Sequence, residues 1–479
     1  MATQQSLGIG MQEIAGRRIA VLGGGLSGRS AAALALKLGA VVELWDSAPS
    51  EKLAAMPAGV TVRDGMPESA PSDLPVPDWC IVSPGVPLDS PLHRFAAATG
   101  ATLLGELEFA AAFCRIPLVG VTGTNGKTTT TELLTACLNA AGVRAVAAGN
   151  IGLPLSQVVA DGTKADYIVL EISSFQLEHA ASLRLTAGIV LNVTPDHLDR
   201  HGSFEAYRNL KTGLGRLVVS GGCVVCPESL SSIVAVPSGV SRHLLWTSGA
   251  GQAPSGVKPV QGDWGVQPGG VAEYVATAGG FGKWQVRYAR PTLQLKGNHN
   301  LANLCAVAAV VRALKLPLED CQGCIGSFRA GAHRIQLVAQ AGGVDYYDDS
   351  KATDVDAVIQ ALRTVGPGRG RRVLLIAGGL DKGCTLEEVK TELRMYVKAA
   401  FLIGQCRLRL SDAWRDSVPV STCDSMEAAV QAAAGMAESG DAVLLSPGCA
   451  SMDMFRDYAH RGECFARAVR DVVAALEQK

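Results

Sequence analysis

Short apolar runs that end in glycine or small polar residues recur along the whole chain, and segments with helical spacing separate them. Arg18–Leu22 (RIAVL) is the first run. It leads into Gly23-Gly24-Gly25-Leu26-Ser27-Gly28 and then into the alanine-rich RSAAALALKLGA. Val41–Trp45 closes on Asp46, and residues 79–86 (WCIVSPGV) form another strand ending in a turn. The same alternation continues through 118–121, 145–148, 167–172 and 187–192, and again through 344–347, 373–376, 401–403 and 443–445. Strands that alternate with helices predict an α/β chain whose mostly parallel sheets are covered on both faces. In such sheets ligands collect at the carboxyl ends of the strands, so the polar residues there are the ones to examine.

One stretch breaks the rhythm. Between about 227 and 290 the composition shifts to Gly, Pro, Ser, Trp and Val with short alternating runs such as VAEYVAT and KWQVRYA, which predicts a small antiparallel sheet or long hairpins. The pattern divides the chain into a Rossmann-like N-terminal domain (1–108), a central P-loop-type domain (109–329) and a C-terminal Rossmann-like α/β domain (330–479). A chain of 479 residues is long enough for about three domains.

Composition narrows the function classes. Charged residues make up 18% and hydrophobic ones 48%, which suits a well-buried globular enzyme. The net charge of -1 gives no basic surplus for nucleic acid or an anionic membrane. No charge-free apolar run is long enough to span a bilayer, and MATQQSLGIGMQEIAGRR lacks an export signal, so the expected location is the cytoplasm. The 13 cysteines are scattered, as expected for reduced thiols. Two CxxC pairs, Cys223/Cys226 and Cys321/Cys324, raise the question of zinc. The first lies in the strand-like GGCVVCP, where alternation would bury one thiol and leave the other near a turn, so core cysteines are the expectation.

The most informative chemistry is PLVGVTGTNGKTTTTE, 117–132. A buried strand runs into Gly123, Thr124, Asn125 and Gly126, then Lys127, Thr128 and Thr129 at a helix start. Glycines let backbone N–H groups point at phosphate, the lysine neutralises charge, and the following hydroxyl can hold Mg²⁺. Val121 stands where the common spacing asks for glycine, so the loop is a shortened variant. Gly23, Gly25 and Gly28, with Asp46 ending the next strand, fit a diphosphate cradle that a dinucleotide is only one candidate to occupy. Glu171 with Ser173-Ser174 ends one strand of the central domain. Asn192, Asp196, His197 and Asp199 follow another, and a carboxylate so placed is a natural Mg²⁺ ligand. Asn300 and Asn303 share a helical face, as caps or as readers of an adenine edge. The basic loop 366–372 reads as a solvated connection.

In order, GTNGKTT, EISSFQ, NVTPDHLDRH, GNHN, AHR, DDSKATD, GGLDKG and LLSPGCASMD resemble the Mur ligase family across nearly the whole chain. The N-terminal turn makes the chain most similar to the branch that adds D-glutamate to a nucleotide-sugar-linked alanine. The resemblance implies a cytoplasmic, monomeric enzyme of cell-wall synthesis. It would use ATP and Mg²⁺ to join D-glutamate to UDP-N-acetylmuramoyl-L-alanine, without nucleic acid or a membrane span. It also implies roles. Lys127 contacts the β/γ-phosphates, Thr128 and Glu171 hold Mg²⁺, His197 sits at a second metal, and Lys211 is the lysine the family carbamylates. His299, Asn300 and Asn303 resemble adenine-side contacts, and Arg334 and Asp349 resemble ATP contacts from the third domain. Leu26, Ser27, Asp46, Ser47, Ser83, Asn150, Ser173 and His197 resemble contacts to the UDP-sugar. Lys351, Thr353, Lys382, Ser451, Met452 and Tyr458 fall at positions like those around D-glutamate. Sites spread over three domains imply a closing movement. Three other readings stay open: a Mur ligase for a different amino acid, a dinucleotide-binding oxidoreductase or sensor, and a non-catalytic adenine-nucleotide module.

Overall fold

A computed structural model describes residues 14–49, 53, 56–64, 76–246, 259–267, 269–276, 282–295, 297–380 and 386–477. The described chain holds three sheets. The first contains β1 (Arg18–Leu22), β2 (Val41–Trp45), β3 (Thr61–Arg63), β4 (Trp79–Val82) and β5 (Thr102–Gly105), in the order β3-β2-β1-β4-β5 and parallel throughout.

The second sheet contains β6 (Leu118–Thr122), β7 (Ala145–Gly149), β8 (Tyr167–Glu171), β9 (Leu185–Val190), β10 (Val218–Pro227), β11 (Ser241–Trp246), β12 (Trp264–Gln267), β13 (Gly270–Ala276) and β14 (Gly282–Ala289). Its order is β14-β13-β12-β11-β10-β9-β6-β8-β7. The antiparallel segment expected from the alternating runs is β12-β13-β14. It continues the parallel sheet through β10, β11 and β12, which pair parallel, and so forms one edge of it. The third sheet contains β15 (Gln336–Ala341), β16 (Val344–Asp348), β17 (Val373–Gly378), β18 (Val397–Ile403), β19 (Val420–Thr422) and β20 (Ala442–Leu445), in the order β15-β16-β20-β17-β18-β19. Only β15 and β16 pair antiparallel.

The chain divides into two compact units. One comprises Met1–Val193, Arg208–Leu293 and Ala302–Ser327; the other comprises Thr194–Tyr207, Gln294–Leu301 and Phe328–Lys479. In the first unit, one apolar core runs between its two sheets. Ala31 and Ala35 from the helix Leu26–Lys37 join Leu155 and Val158 from the helix Leu155–Ala160, and Leu107 and Phe109 between them. Glu106 is buried at the start of the helix Glu106–Phe113 and accepts from both the N–H and the hydroxyl of Ser156, each at 2.7 Å. Burial raises its pKa.

In the second unit, β17 (VLLIAG) is buried at every position, because helices cover both faces of its sheet. Val355–Val365, Lys390–Tyr396 and Arg407–Trp414 pack on one side, and Met426–Met436 and Tyr458–Glu477 on the other. This is why the run is continuous rather than alternating.

Two expectations change. Cys223 and Cys226 are core thiols as expected, but both are buried and neither is left outside by alternation, because β10 lies between β9 and β11. The loop 366–372 is tied down rather than merely solvated. Arg369 donates to Asp345 and the Gly440 carbonyl, Arg371 to the Val397 carbonyl and Arg372 to the Ser439 carbonyl. Guanidinium forks meeting carbonyls at the lower edge of the sheet explain why a basic cluster is needed there.

Candidate active site

The loop after β6 is braced from three directions within the first unit. Gly126 has φ +83 and caps the helix Lys127–Ala140, a left-handed conformation that glycine adopts at least cost. Asn192, just past β9, holds the loop with both ends of its amide: its Oδ1 accepts from Asn125 N–H at 2.8 Å and its Nδ2 donates to Asn125 O at 3.0 Å. The Thr124 N–H donates to Asn192 O at 3.1 Å. Asn303 is buried, and its carboxamide lies so close to Gly126 that a Cβ there would stand 2.5 Å from its Oδ1. Asn192 stood out in the sequence only as a strand-end residue; its bracing role depends on a pairing across 67 positions that no local pattern reveals.

Two lysines converge on this loop. Lys127 Nζ donates to Gly123 O at 3.0 Å and to Thr124 O at 2.7 Å. Lys211 Nζ, 1% exposed, donates to the same Gly123 O at 2.8 Å. Two ammonium groups on one carbonyl make a strongly electropositive spot, which suits an anion. Glu171 ends β8 beside β6 and is 3% exposed. Its Oε1 accepts from Asn150 Nδ2 at 2.7 Å, whereas its Oε2 is buried without a hydrogen-bond partner. A buried carboxylate oxygen left unsatisfied is costly, and a cation is what such an atom suits. Thr128 and Thr129 are buried in the first turn of the loop's helix. Among the described residues no group of three or more His, Cys, Asp or Glu could hold a metal ion. A Mg²⁺ held by one carboxylate, a hydroxyl, phosphate oxygens and water does not need one.

The N-terminal turn is equally tight. A Cβ on Gly28 would fall 1.9 Å from Gly23 O, so only glycine fits that helix-to-turn approach. Asp46 accepts from Gly24 N–H at 2.6 Å and from Ala48 N–H at 2.8 Å, and the Ser83 hydroxyl donates to Gly23 O at 3.0 Å. Asp46 and Ser83 thus meet the same turn, with Leu26 and Ser47 exposed and Ser27 half-buried at its mouth. Ser173 caps the short helix Ser174–Leu177 in a capping box with Gln176.

The remaining candidates belong to the second unit. His197 has φ 52, and its Nε2 lies 3.4 Å from Asp196 Oδ2. His299 is held down to about 4 by burial and then by the Arg334 charge, so its imidazole is neutral at pH 7; its Nδ1 is buried without a partner. Asn300 lies in the first turn of the helix Asn298–Ala313. Burial pushes the Asp349 carboxyl up to about 8, although Ser446 Oγ (2.9 Å) and Ile335 N–H (3.2 Å) donate to it and Arg334 opposes the shift. Lys351 Nζ donates to Tyr458 Oη at 3.4 Å and sits 4.8 Å from the centre of that ring. Thr353 is half-buried, Ser451 is buried and Met452 is 74% exposed. Lys382 lies outside the described residues. Sequence reasoning missed Arg461, which is fully buried and reaches both Ser350 and Cys449. Nothing around it in YAHRGEC marks it as special.

Comparison with known proteins gives the family. Residues 121–311 match the Mur ligase middle domain, and residues 333–449 match the Mur ligase glutamate ligase domain. A UDP-N-acetylmuramoylalanine--D-glutamate ligase of Anaeromyxobacter dehalogenans is 38% identical over 95% of this chain and 98% of its own length. The protein of that name from Streptomyces avermitilis is 36% identical over 96% and 99%. Among solved structures, a pseudomurein peptide ligase type C from Methanothermus fervidus superposes with a TM-score of 0.58 at 16% identity, covering 95% of this chain and all of that one. The MurC ligase of Thermotoga maritima gives 0.56 at 16% identity over the same shares, which shows the fold alone. With similarity of this extent to curated relatives and both domain models matched, the chain belongs to the Mur ligase family.

Proposed function

We propose that the protein joins D-glutamate to UDP-N-acetylmuramoyl-L-alanine with ATP, giving ADP and phosphate, in peptidoglycan synthesis. The similarity to D-glutamate ligases over nearly the whole chain supports the substrates. The structural observation that carries the chemistry is the braced loop 123–128 in one unit with Lys127, Lys211 and the unsatisfied Oε2 of Glu171.

A carboxylate resists attack because its oxyanion is a poor leaving group. Transfer of the ATP γ-phosphoryl to the alanyl carboxylate makes an acyl phosphate. The amine of D-glutamate adds to its carbonyl carbon, the tetrahedral adduct collapses, and phosphate leaves with the electron pair of the C–O bond. In this reading Gly123–Gly126 direct backbone N–H groups at the phosphates, and Lys127 turns from its loop carbonyls to the β/γ-phosphates. Thr128 and Glu171 would hold Mg²⁺, His197 would sit at a second metal and Lys211 is the candidate for carbamylation; a bound ion would supply charge neutralisation on the transferring phosphoryl group. Lys211 fits better as a carbamate. Addition of CO₂ to its neutral amine, with loss of a proton, replaces a cation–cation contact beside Lys127 with an attractive pair. His299, Asn300, Asn303, Arg334 and Asp349 serve ATP. The turn at Leu26–Ser27, with Asp46, Ser47, Ser83, Asn150, Ser173 and His197, serves the sugar nucleotide. Lys351, Thr353, Lys382, Ser451, Met452 and Tyr458 serve D-glutamate, where cationic and hydroxyl donors suit two carboxylates. Among the described residues no helix is long and apolar enough to cross a membrane, and the reading is of a monomer working in the cytoplasm on nucleotide-linked substrates.

The test is phosphate release from ATP and Mg²⁺ with UDP-N-acetylmuramoyl-L-alanine and each of a panel of amino acids. Release with D-glutamate alone is expected. Preference for another amino acid would reassign the branch, and NAD(H) turnover without ATP hydrolysis would replace the reading.

A further inference from the structure

Arg461 lies in the first turn of the helix Tyr458–Glu477 and is 0% exposed. Its three hydrogen bonds go to neutral acceptors: Nε to Ser350 Oγ at 3.0 Å, Nη2 to Ser350 O at 2.7 Å and Nη1 to Cys449 O at 3.0 Å. The Ser350 hydroxyl in turn donates to Tyr458 O at 2.8 Å. Burial lowers the Arg461 pKa to about 10, while Cys449, Asp453, Asp348 and Asp349 pull the other way, so the group is cationic at neutral pH. A buried cation spent on carbonyls is an expensive way to hold a fold together, since an apolar side chain of like volume would fill the space at lower cost. What the guanidinium adds is geometry. Its rigid planar fork sets two backbone segments at a fixed spacing, which a flexible ammonium cannot do.

The two segments are the one after β16, where Ser350 precedes Lys351 and Thr353, and the one after β20, where Cys449 precedes Ser451 and Met452. They leave adjacent parallel strands, and the turn after β17, the next strand beyond β20, closes on the second segment and on the guanidinium: a Cβ on Gly379 would lie 2.2 Å from Ala450 O and 3.3 Å from Arg461 Nη1. We propose that Arg461 is a positioning residue for the amino-acid substrate, locking the 350–353 and 449–452 segments and the Tyr458 helix start in one register so that all three reach a single dicarboxylate. This rests on the assignment of D-glutamate to those segments.

The experiment compares steady-state kinetics of the full chain carrying Arg461→Lys, Arg461→Met or Ser350→Ala, with Lys351→Met as the reference for the assignment itself. Arg461→Lys is expected to raise the KM for D-glutamate about tenfold, the usual scale for a lost charge-assisted contact, while the KM for the sugar nucleotide and kcat stay within about threefold. Arg461→Met should raise it further. If Lys351→Met raises the D-glutamate KM and Arg461→Lys does not, the positioning role is overturned and the assignment survives. If neither raises it, the assignment fails and the inference fails with it. A uniform loss in all parameters that follows the loss of folded protein would make Arg461 purely structural and also overturn the proposal. Should both Arg461 variants fail to fold, Ser350→Ala decides, because it removes the hydroxyl that links Arg461 Nε to the Tyr458 carbonyl and leaves the guanidinium's bonds to Ser350 O and Cys449 O in place. A rise of about threefold in the D-glutamate KM supports the proposal, and an unchanged KM overturns it.

Discussion

Gly126→Ala tests the nucleotide loop most directly, and Gly142→Ala supplies its control. Both glycines have left-handed backbone, φ +83 and φ +81, at opposite ends of the helix Lys127–Ala140. Each substitution therefore carries the same conformational cost, about 1–2 kcal/mol. They differ in what the new methyl meets. At Gly142 nothing lies within 4 Å, whereas at Gly126 the Cβ would sit 2.5 Å from Asn303 Oδ1 and 2.9 Å from its Nδ2. Asn303 is 4% exposed and has little room to withdraw, so overpacking adds roughly 1–3 kcal/mol. Scanning calorimetry should show Gly126→Ala melting several degrees below Gly142→Ala, at roughly 2–4 °C per kcal/mol for a unit of this size. Titration calorimetry with ATP should show a loss of at least about tenfold in affinity for Gly126→Ala, because the loop N–H groups are turned off target, and no change for Gly142→Ala. Equal melting and equal ATP affinity for the two variants would refute the claim that contact between Gly126 and Asn303 shapes the phosphate cradle.

Other expectations follow the same reasoning. Asn192→Asp keeps the acceptor for Asn125 N–H but sets an oxyanion against Asn125 O, so ATP affinity should fall about tenfold by titration; wild-type affinity would count against the brace. Activity should drop in CO₂-depleted buffer and return with bicarbonate, and Lys211→Met should be inactive in both. A ¹³C carbamate signal in the wild type that is missing from the variant would link the effect to Lys211. Asp349 titrates at about 8 in the folded chain and at about 3.9 unfolded, so the native state binds the extra proton between those values. The stability it contributes is present at low pH and is lost as pH rises through about 8, at up to about 1.4 kcal/mol per pH unit. Asp349→Asn should therefore flatten the fall in melting temperature between about pH 5 and 8, and an unaltered slope would refute this. His299, lowered to about 4, acts on the acid side: its contribution disappears as pH falls from about 6.5 towards 4, and His299→Gln should remove that dependence.

Much of the architecture was legible because buried parallel strands have a distinctive signature. β1 and β2 fall on the runs RIAVL and VVELW, and β17 and β20 extend the apolar runs at 373–376 and 443–445 by a residue or two. The alternating runs after 227 read as antiparallel, which holds for β12 to β14. That they extend the central sheet was not legible, since pairing partners are set by distant strands. Cys223 and Cys226 are core thiols as expected; only the exposure of one of them was misjudged, since alternation presumes one wet face and residues 222–227 of β10 are all buried. In the site, residues inside motifs were legible. Asn192 as a brace, the arginines of 366–372 as anchors and Arg461 as a clamp were not, because each acts on backbone far away in sequence, where side-chain identity leaves no pattern.

The order in which the braces appear along the chain has a consequence for synthesis. Asn192, Lys211 and Asn303 all lie downstream of the loop they hold, the lysine by 88 positions. A ribosome adding about 5–20 residues each second needs roughly 10–35 s to travel from the loop to Asn303. Over that interval the emerging polypeptide carries its glycine turn without the side chains that set its shape. Products that end before Asn303 lack the carboxamide that packs against Gly126, so the turn reaches its final shape only after about two thirds of the 479 residues have been joined.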